Sequence, residues 1–594
     1  MTAHEKKLKD ILNGARLLEI PYYQRVYVWN HELWKRFLDD IVDLTMPGSK
    51  PHFIGSIILK QQQTPSMGGV SDIRTVIDGQ QRLTTLAIFF KVLSLKHQQD
   101  WIFDDLCKCR SIENGKSTMI LAFRHNHIDK EAFEKIMNLD KAVNLAPVNK
   151  KGEVLEDASQ IINAYQYFLR EIDPAVLDIN SVAKILDKIL IVGIDLTFEE
   201  DEQQIFDTIN SLGIKLTTSE LLKNYFFNEN NYSEYAKYWL SIFEKDKEQK
   251  DYWNQEIVSG VSRPHLIDVF FQALLNLKVH EDKYHVTTED KLRYARTEKL
   301  FESYKDFVHK YMNDDKATIM LEVNKYAQLF MDNFHPDCGE EALTEEVGLD
   351  RINVMMFSLK MSTMIPYILY LLVNQQDNAE VAKICGYLES YVMRRIICHA
   401  DTRGYYKLFS DSLLTNNVIT LDALKDYINN KDEERVIAPV SDQEILECVH
   451  GKVYLVNEQN TGILYMLETR LRSGSYAATV MKGISCYTLE HMMPKKWEMT
   501  WDKTGLTDDV IRDRNNRLYT LGNLAIIPGK LNTSISNNTW QIKLNGRTNK
   551  PGLLAAATGL VTLDPYLKIS DWNEKEMVKR ANDLYAQIVK IWAK

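Results

Sequence analysis

The chain has no apolar run long enough to cross a membrane. Its longest, Met364 to Val373, is about ten residues, where a spanning helix needs about 20, so this run is expected to be a buried helix. The opening stretch Met1-Thr2-Ala3-His4-Glu5-Lys6-Lys7 has no apolar h-region, so no signal peptide is expected and the cytoplasm is the expected location. Cysteine is scarce: seven residues, scattered and odd in number, with Cys107 and Cys109 as the one close pair. No second pair completes a tetrahedral thiolate zinc site, so buried reduced thiols are expected, and a catalytic metal would need oxygen and nitrogen ligands. No repeat of fixed period, low-complexity tract or Walker-type Gly-Lys-Ser/Thr loop is present, and the last absence excludes a P-loop site.

What is present is ordinary globular material, 45% hydrophobic and 26% charged. At 594 residues the chain is too long for one core and should divide into two to four domains. A net charge of −10 argues against nucleic-acid binding over the whole surface. From Met481 onward, however, there are 17 Lys/Arg against 11 Asp/Glu, and the remainder carries about −16. A basic tail on an acidic body is compatible with a local DNA footprint.

Residues 1–225 read as mixed α and β. Strands are expected at Phe53–Lys60, Arg74–Ile77 and Lys188–Leu196, and helices at His31–Leu44 and Gln81–Leu95. Gln61 to Ser71 is polar with Gly and Pro, hence a loop. Residues 226–470 follow the helical period, with Lys431–Glu434 as a charged turn. From 471 to 594 Gly, Asn, Thr and Pro rise and strands shorten. The expected architecture is therefore α+β and multidomain, with boundaries near 225 and 470.

Two constellations carry chemistry. In the first, Ile20-Pro21-Tyr22-Tyr23-Gln24-Arg25-Val26-Tyr27-Val28-Trp29 is dense in aromatics. Further on, Ile77-Asp78-Gly79-Gln80-Gln81-Arg82-Leu83 reads as a strand that turns at Asp78-Gly79 into a helix. A helix start presents unpaired N–H groups that suit a phosphate. Gly79 allows close approach, Arg82 can grip a phosphate at two points, and Asp78 could hold Mg²⁺ or a water. From the residues alone, Asp78 as a helix cap and Arg82 as a solvated side chain is the favoured reading, and a packed strand for the aromatic stretch is equally open. Downstream, Ile205 to Asn224 contains Thr217 and Glu220 at capping-box spacing.

The second constellation is Thr488-Leu489-Glu490-His491-Met492-Met493-Pro494-Lys495, followed by Leu521-Gly522-Asn523-Leu524 and then Asn532. This is the order of parts in a ββα-metal (HNH) nuclease site. There, a histidine takes a proton from water while a divalent cation, held by an acid and an amide, stabilises charge on the leaving oxygen. His491 suits the base, Glu490 and Asn532 the metal, and Asn523 a tie between loop and strand. Lys495, Lys496 and Lys543 could sit near phosphates. Because Glu490 and His491 are adjacent on a strand, their side chains start on opposite faces.

IPYYQR-x-Y-x-W, HFIGSIIL, DGQQRLTTL and FDTINSLGIKLTTSELLKN, in that order, resemble the N-terminal domain of GmrSD-like type IV restriction enzymes. The Glu490–Lys543 run resembles their C-terminal HNH domain. The resemblance implies a ParB/sulfiredoxin-like α/β domain that binds and hydrolyses a nucleoside triphosphate, a helical coupling region and a ββα-metal nuclease. It further implies a nucleotide site of Asp78, Gly79, Gln80, Gln81 and Arg82, with Arg25, Gln24 and Gly55 alongside. Metal at Glu490, Asn532 and Asp78 would be Mg²⁺, or alternatively Mn²⁺. The implied substrate is modified phage DNA, with no membrane partner, and double-strand cutting by one site per chain would favour two copies at work. A toxin-like nuclease acting on unmodified DNA or RNA and a non-catalytic DNA-binding sensor are the alternatives.

Overall fold

A computed structural model of the chain describes residues 2–12, 15–62, 69–113, 115–125, 128–147, 159–197, 217–227, 231–258, 262–429, 436–452, 456–472, 481–535, 537–547, 549–557 and 559–594. The expected loop residues 63–68, most of the 205–224 motif (205–216) and the charged turn 431–434 lie outside them. The chain is α+β and forms two compact units, one up to residue 240 and one from residue 241.

The first unit is built on a sheet that, among the described residues, has six strands. These are β1 (Thr2–Lys7), β2 (Arg16–Glu19), β3 (His52–Gln61), β4 (Asp72–Asp78), β7 (Phe123–Arg124) and β8 (Ile189–Leu196). Their order is β1-β8-β3-β4-β2-β7. The sheet is mixed: β1 with β8 and β3 with β4 are antiparallel, while β3 with β8, β2 with β4 and β2 with β7 are parallel. Ile57, Ile58 and Leu59 put three consecutive buried residues in β3, which suits a central strand covered on both faces. The polar β1 (TAHEKK) takes an edge, where charge deters further pairing. A separate hairpin pairs β5 (Lys108–Glu113) with β6 (Lys116–Leu121).

The helix Gln80–His97 is the core element of this unit. Every residue from Gln80 to Leu95 is buried except Arg82, so Arg82 is the one side chain of that stretch directed out of the core. The helix His31–Asp43 spaces Trp34, Phe37, Leu38 and Ile41 along one face and is capped by Asn30. Phe37 and Phe168 meet Phe89 edge to face. At the far end, Thr217 and Glu220 form the capping box their spacing predicts: the Glu220 N–H donates to Thr217 Oγ1 at 3.2 Å, and the Thr217 N–H donates to the Glu220 carboxylate at 2.8 Å.

The second unit is largely helical. Arg351, buried, grips both oxygens of Glu389 at 2.7 and 2.8 Å and also donates to Thr469 Oγ1 and to the Met466 carbonyl. The indole of Trp592 donates to the same Glu389 at 2.9 Å. This pair therefore joins the helix Asn378–Ile397 to the helices Asn457–Leu471 and Glu574–Ile591. Within that frame β9 (Tyr487–His491) and β10 (Leu524–Pro528) pair antiparallel, His491 opposite Leu524 and Glu490 opposite Ala525. The short helix Gly529–Ile535 packs on both strands.

Arg580, on the C-terminal helix, is wholly buried. Its guanidinium donates to the carbonyls of Leu521, Gly522, Leu524 and Thr562 at 2.6–3.2 Å. Burial pushes its pKa down to about 10. An Arg580→Met chain leaves those carbonyls without their donor and should lose about 1–3 kcal/mol. Urea unfolding measures this, and an unchanged midpoint would show that other donors replace the guanidinium.

Candidate functional site

In the first unit β4 ends at Asp78, and Gly79 takes φ +100°, the left-handed region, with no side chain capping the helix that starts at Gln80. A β-carbon at Gly79 would lie 2.9 Å from the Ile57 side chain, so glycine is required for both conformation and space. Arg82 Nη1 donates to the Ser56 carbonyl at 2.6 Å and lies 3.5 Å from the Asp78 carboxylate. Its guanidinium fills the space over Gly55, where a β-carbon would come within 2.8 Å of Nε.

Three residues expected at a nucleotide site have their amides turned inward. Gln24 Nε2 donates to the carbonyls of Val76 and Ile77 at 2.7 and 3.0 Å. Gln80 Nε2 donates to the Arg25 carbonyl at 2.9 Å. Gln81 donates to the Val26 carbonyl at 3.1 Å and accepts the Val28 N–H at 2.8 Å. All three are buried. They clip the aromatic segment to the strand end and the helix start. The same segment is held by Tyr27, whose N–H donates to Asp129 at 2.7 Å and whose hydroxyl meets Thr85 Oγ1 and the Trp34 indole. What fits a phosphate is the uncapped helix start at Gly79 with Arg82 beside it; Arg25 is half-buried at its edge.

In the second unit Asn523 is wholly buried. Its amide donates to the carbonyls of Met493 and Leu518 at 2.9 Å, while its oxygen accepts the Met493 N–H at 2.8 Å and the Trp572 indole at 3.0 Å. Asn523 thus fastens the turn before β10 to the segment after His491. Gly522 beside it permits the close approach of the C-terminal helix: a β-carbon there would lie 2.1 Å from the Met577 carbonyl.

Glu490 and His491, at the end of β9, have different environments. Glu490 is ion-paired with Lys543, and Lys543 also donates to the His491 carbonyl at 2.7 Å. The His491 backbone N–H interacts with the same carboxylate. Both partners of the pair are buried, Lys543 at 1% exposure. Burial pushes the Glu490 pKa up and that of Lys543 down, and their mutual attraction opposes both shifts. Lys543, expected near phosphates, is instead a buried counter-ion fixed to the strand, because the helix Trp540–Asn545 turns it inward. Asn532 directs its NH₂ to the Leu489 carbonyl at 3.0 Å and to Thr488 Oγ1 at 3.2 Å.

Glu490 and Asn532, expected to hold a divalent cation, are each engaged by groups of the chain itself. The carboxylate expected to bind it already holds an ammonium and a backbone N–H. Among the described residues no three His, Cys, Asp or Glu side chains gather as a metal cluster. Asp78 lies beside Arg82 and belongs to no such cluster either.

His491 faces another set of groups. Its ring meets Tyr519 edge to face, centroids 6.2 Å apart. Burial first, then the positive charges of Lys495 and Lys543, push its pKa down to about 4. The imidazole is therefore neutral at pH 7. Sequence reasoning missed Tyr519, whose only signal is its place two residues before Leu521.

Comparison with family models finds GmrSD restriction endonuclease, N-terminal domain, over residues 8–227, and GmrSD restriction endonucleases, C-terminal domain, over residues 440–587. Comparison with curated proteins finds no match.

The depressed pKa of His491 carries a stability consequence. An unfolded histidine titrates near 6.5. Between that value and about 4 the unfolded chain binds more protons than the folded one. This contribution is complete above pH ~6.5 and is lost as pH falls through about 4. Replacing His491 with Asn should flatten the stability profile in that window by on the order of 3 kcal/mol. Denaturant unfolding at pH 7, 5.5 and 4 checks it; parallel profiles for the two chains would refute the assignment.

Proposed function

Since the chain belongs to the GmrSD restriction endonuclease family, we propose that it cuts modified phage DNA under the control of a nucleoside triphosphate bound in the first unit. His491 carries this reading: a neutral imidazole held at a strand end by a fully buried carboxamide turn, with lysine charge around it. The C-terminal centre is read as a ββα nuclease site and the N-terminal unit as a ParB/sulfiredoxin-like domain.

In the proposed reaction His491 takes a proton from water as the water oxygen bonds to phosphorus. The bond from phosphorus to the departing sugar oxygen breaks, and that oxygen takes a proton from solvent. A neutral imidazole can do this at pH 7; one already protonated could not. The Lys543–Glu490 pair holds the His491 carbonyl and so fixes the strand end on which the imidazole sits. Exposed Lys495 offers charge to the phosphate.

At the first unit, Gly79 and Arg82 would receive the phosphates of the nucleotide, with Asp78 beside them. The glutamines of the same motif keep the aromatic segment in place. Nucleotide occupancy would act by shifting the population of a cleavage-competent state.

Digestion of a panel of modified phage genomes, with and without each triphosphate, tests the whole reading. His491→Ala should cut about 10²–10⁴-fold more slowly, the usual loss for a general base. Arg82→Ala should abolish nucleotide-dependent cutting while keeping the fold. Arg82→Ala cutting as well as the parent with nucleotide present would end the coupling idea. Equal cutting of unmodified plasmid would end the modification dependence.

A further inference from the structure

Two lysines from distant parts of the second unit converge on one aromatic ring beside His491. Lys452 Nζ lies 5.0 Å from the centroid of Tyr519, and Lys495 Nζ lies 5.8 Å from it. The ring is itself the edge-to-face neighbour of the imidazole. Lys495 follows β9 by four residues. Lys452 comes from the helical part, just after the helix Asp442–His450. Both lysines are exposed and Tyr519 is half-buried.

The placement of Lys452 is fixed by packing. The helix before it rests on the C-terminal helix and on the Leu521–Asn523 turn, and His450 Nε2 meets Asn582 Oδ1 at 2.8 Å. Tyr519 lies two residues before that turn. Thus the buried hub that holds β9 also sets the distance from Lys452 to His491. Both ammonium groups lie within 6 Å of one ring centre, so they cannot be more than twice that apart. Among the described residues no carboxylate pairs with Lys495. Two exposed ammonium groups on one ring present positive charge to an anion from the same side of the imidazole. A nucleic-acid strand offers such anions in series, one about every 3.4 Å along the axis.

We infer that Lys452 and Lys495 grip the backbone phosphates of DNA across the ring of Tyr519, immediately beside the scissile position, so that the helical segment contributes directly to substrate binding. The inference rests on the nuclease reading of His491. It assigns the helical part a binding role in addition to its packing.

The test uses the full chain with His491→Ala, expected to cut too slowly to deplete the probe, and a fluorescent duplex of modified DNA titrated at several salt concentrations. Adding Lys452→Ala should weaken binding about tenfold at low salt, and the slope of log affinity against log salt should fall by about 0.9, the loss of one phosphate contact. Lys452→Gln should behave like Lys452→Ala, which separates lost charge from disturbed packing, with circular dichroism confirming the fold of each chain. Tyr519→Ala should weaken binding as well, because the ring spaces the two ammonium groups. Unchanged affinity and slope in both Lys452 variants would overturn the grip while leaving the nuclease reading intact. Failure of the parent chain to cut any DNA would instead overturn the nuclease reading.

Discussion

The second unit depends on a buried polar turn. Asn523 spends its amide on two carbonyls and its oxygen on a backbone N–H and an indole, while Arg580 takes the carbonyls of Leu521, Gly522 and Leu524. In a dry interior such groups are stable only when their partners are in place. The turn therefore has one acceptable position, and β10 begins from it. Because β9 pairs with β10 in a fixed register, the same turn fixes where Glu490 and His491 emerge. Gly522 is part of this constraint, since any larger residue would separate the C-terminal helix from the turn.

Much of the first unit was legible because its signals are local. The strand reading Phe53–Lys60 becomes His52–Gln61, and Gln81–Leu95 becomes the helix Gln80–His97. Continuous β-branched and aliphatic runs mark buried strands, and nearly all of the long helix is buried. The strands β1, β2 and β7 were not read. β1 is polar, β7 has two residues, and each is a strand only because a neighbour supplies its ladder. The β5–β6 pair was signalled by Asn114-Gly115, a strong hairpin dipeptide, but lysine and serine on both sides obscured the alternation.

Site residues were legible as positions more than as roles. DGQQR marks a strand end, a left-handed glycine and a helix start, all of which are present. Yet its two glutamines, with Gln24, form the clasp between the motif and the aromatic segment. A buried amide must find partners for both its ends, and backbone groups 50 and more residues away supply them. No spacing rule reveals such a contact. Arg82 remains distinct because it is the residue of that helix turn left out of the core.

The same logic accounts for Glu490 and Lys543. In sequence, an acid beside a histidine reads as a cation ligand, and a lysine 53 residues on reads as a phosphate contact. Folding brings them together under the strand, where each answers the other's charge. Leaving either one there alone would cost several kcal/mol. Once the pair forms, the acid is no longer free to advertise a metal, and the lysine no longer faces solvent. What remains beside the pair is the half-buried imidazole, kept neutral by its burial and by the positive charge nearby, with Tyr519 as its neighbour. A helix and a turn bring Lys452 to that neighbour from a segment that the sequence marked only as helical packing.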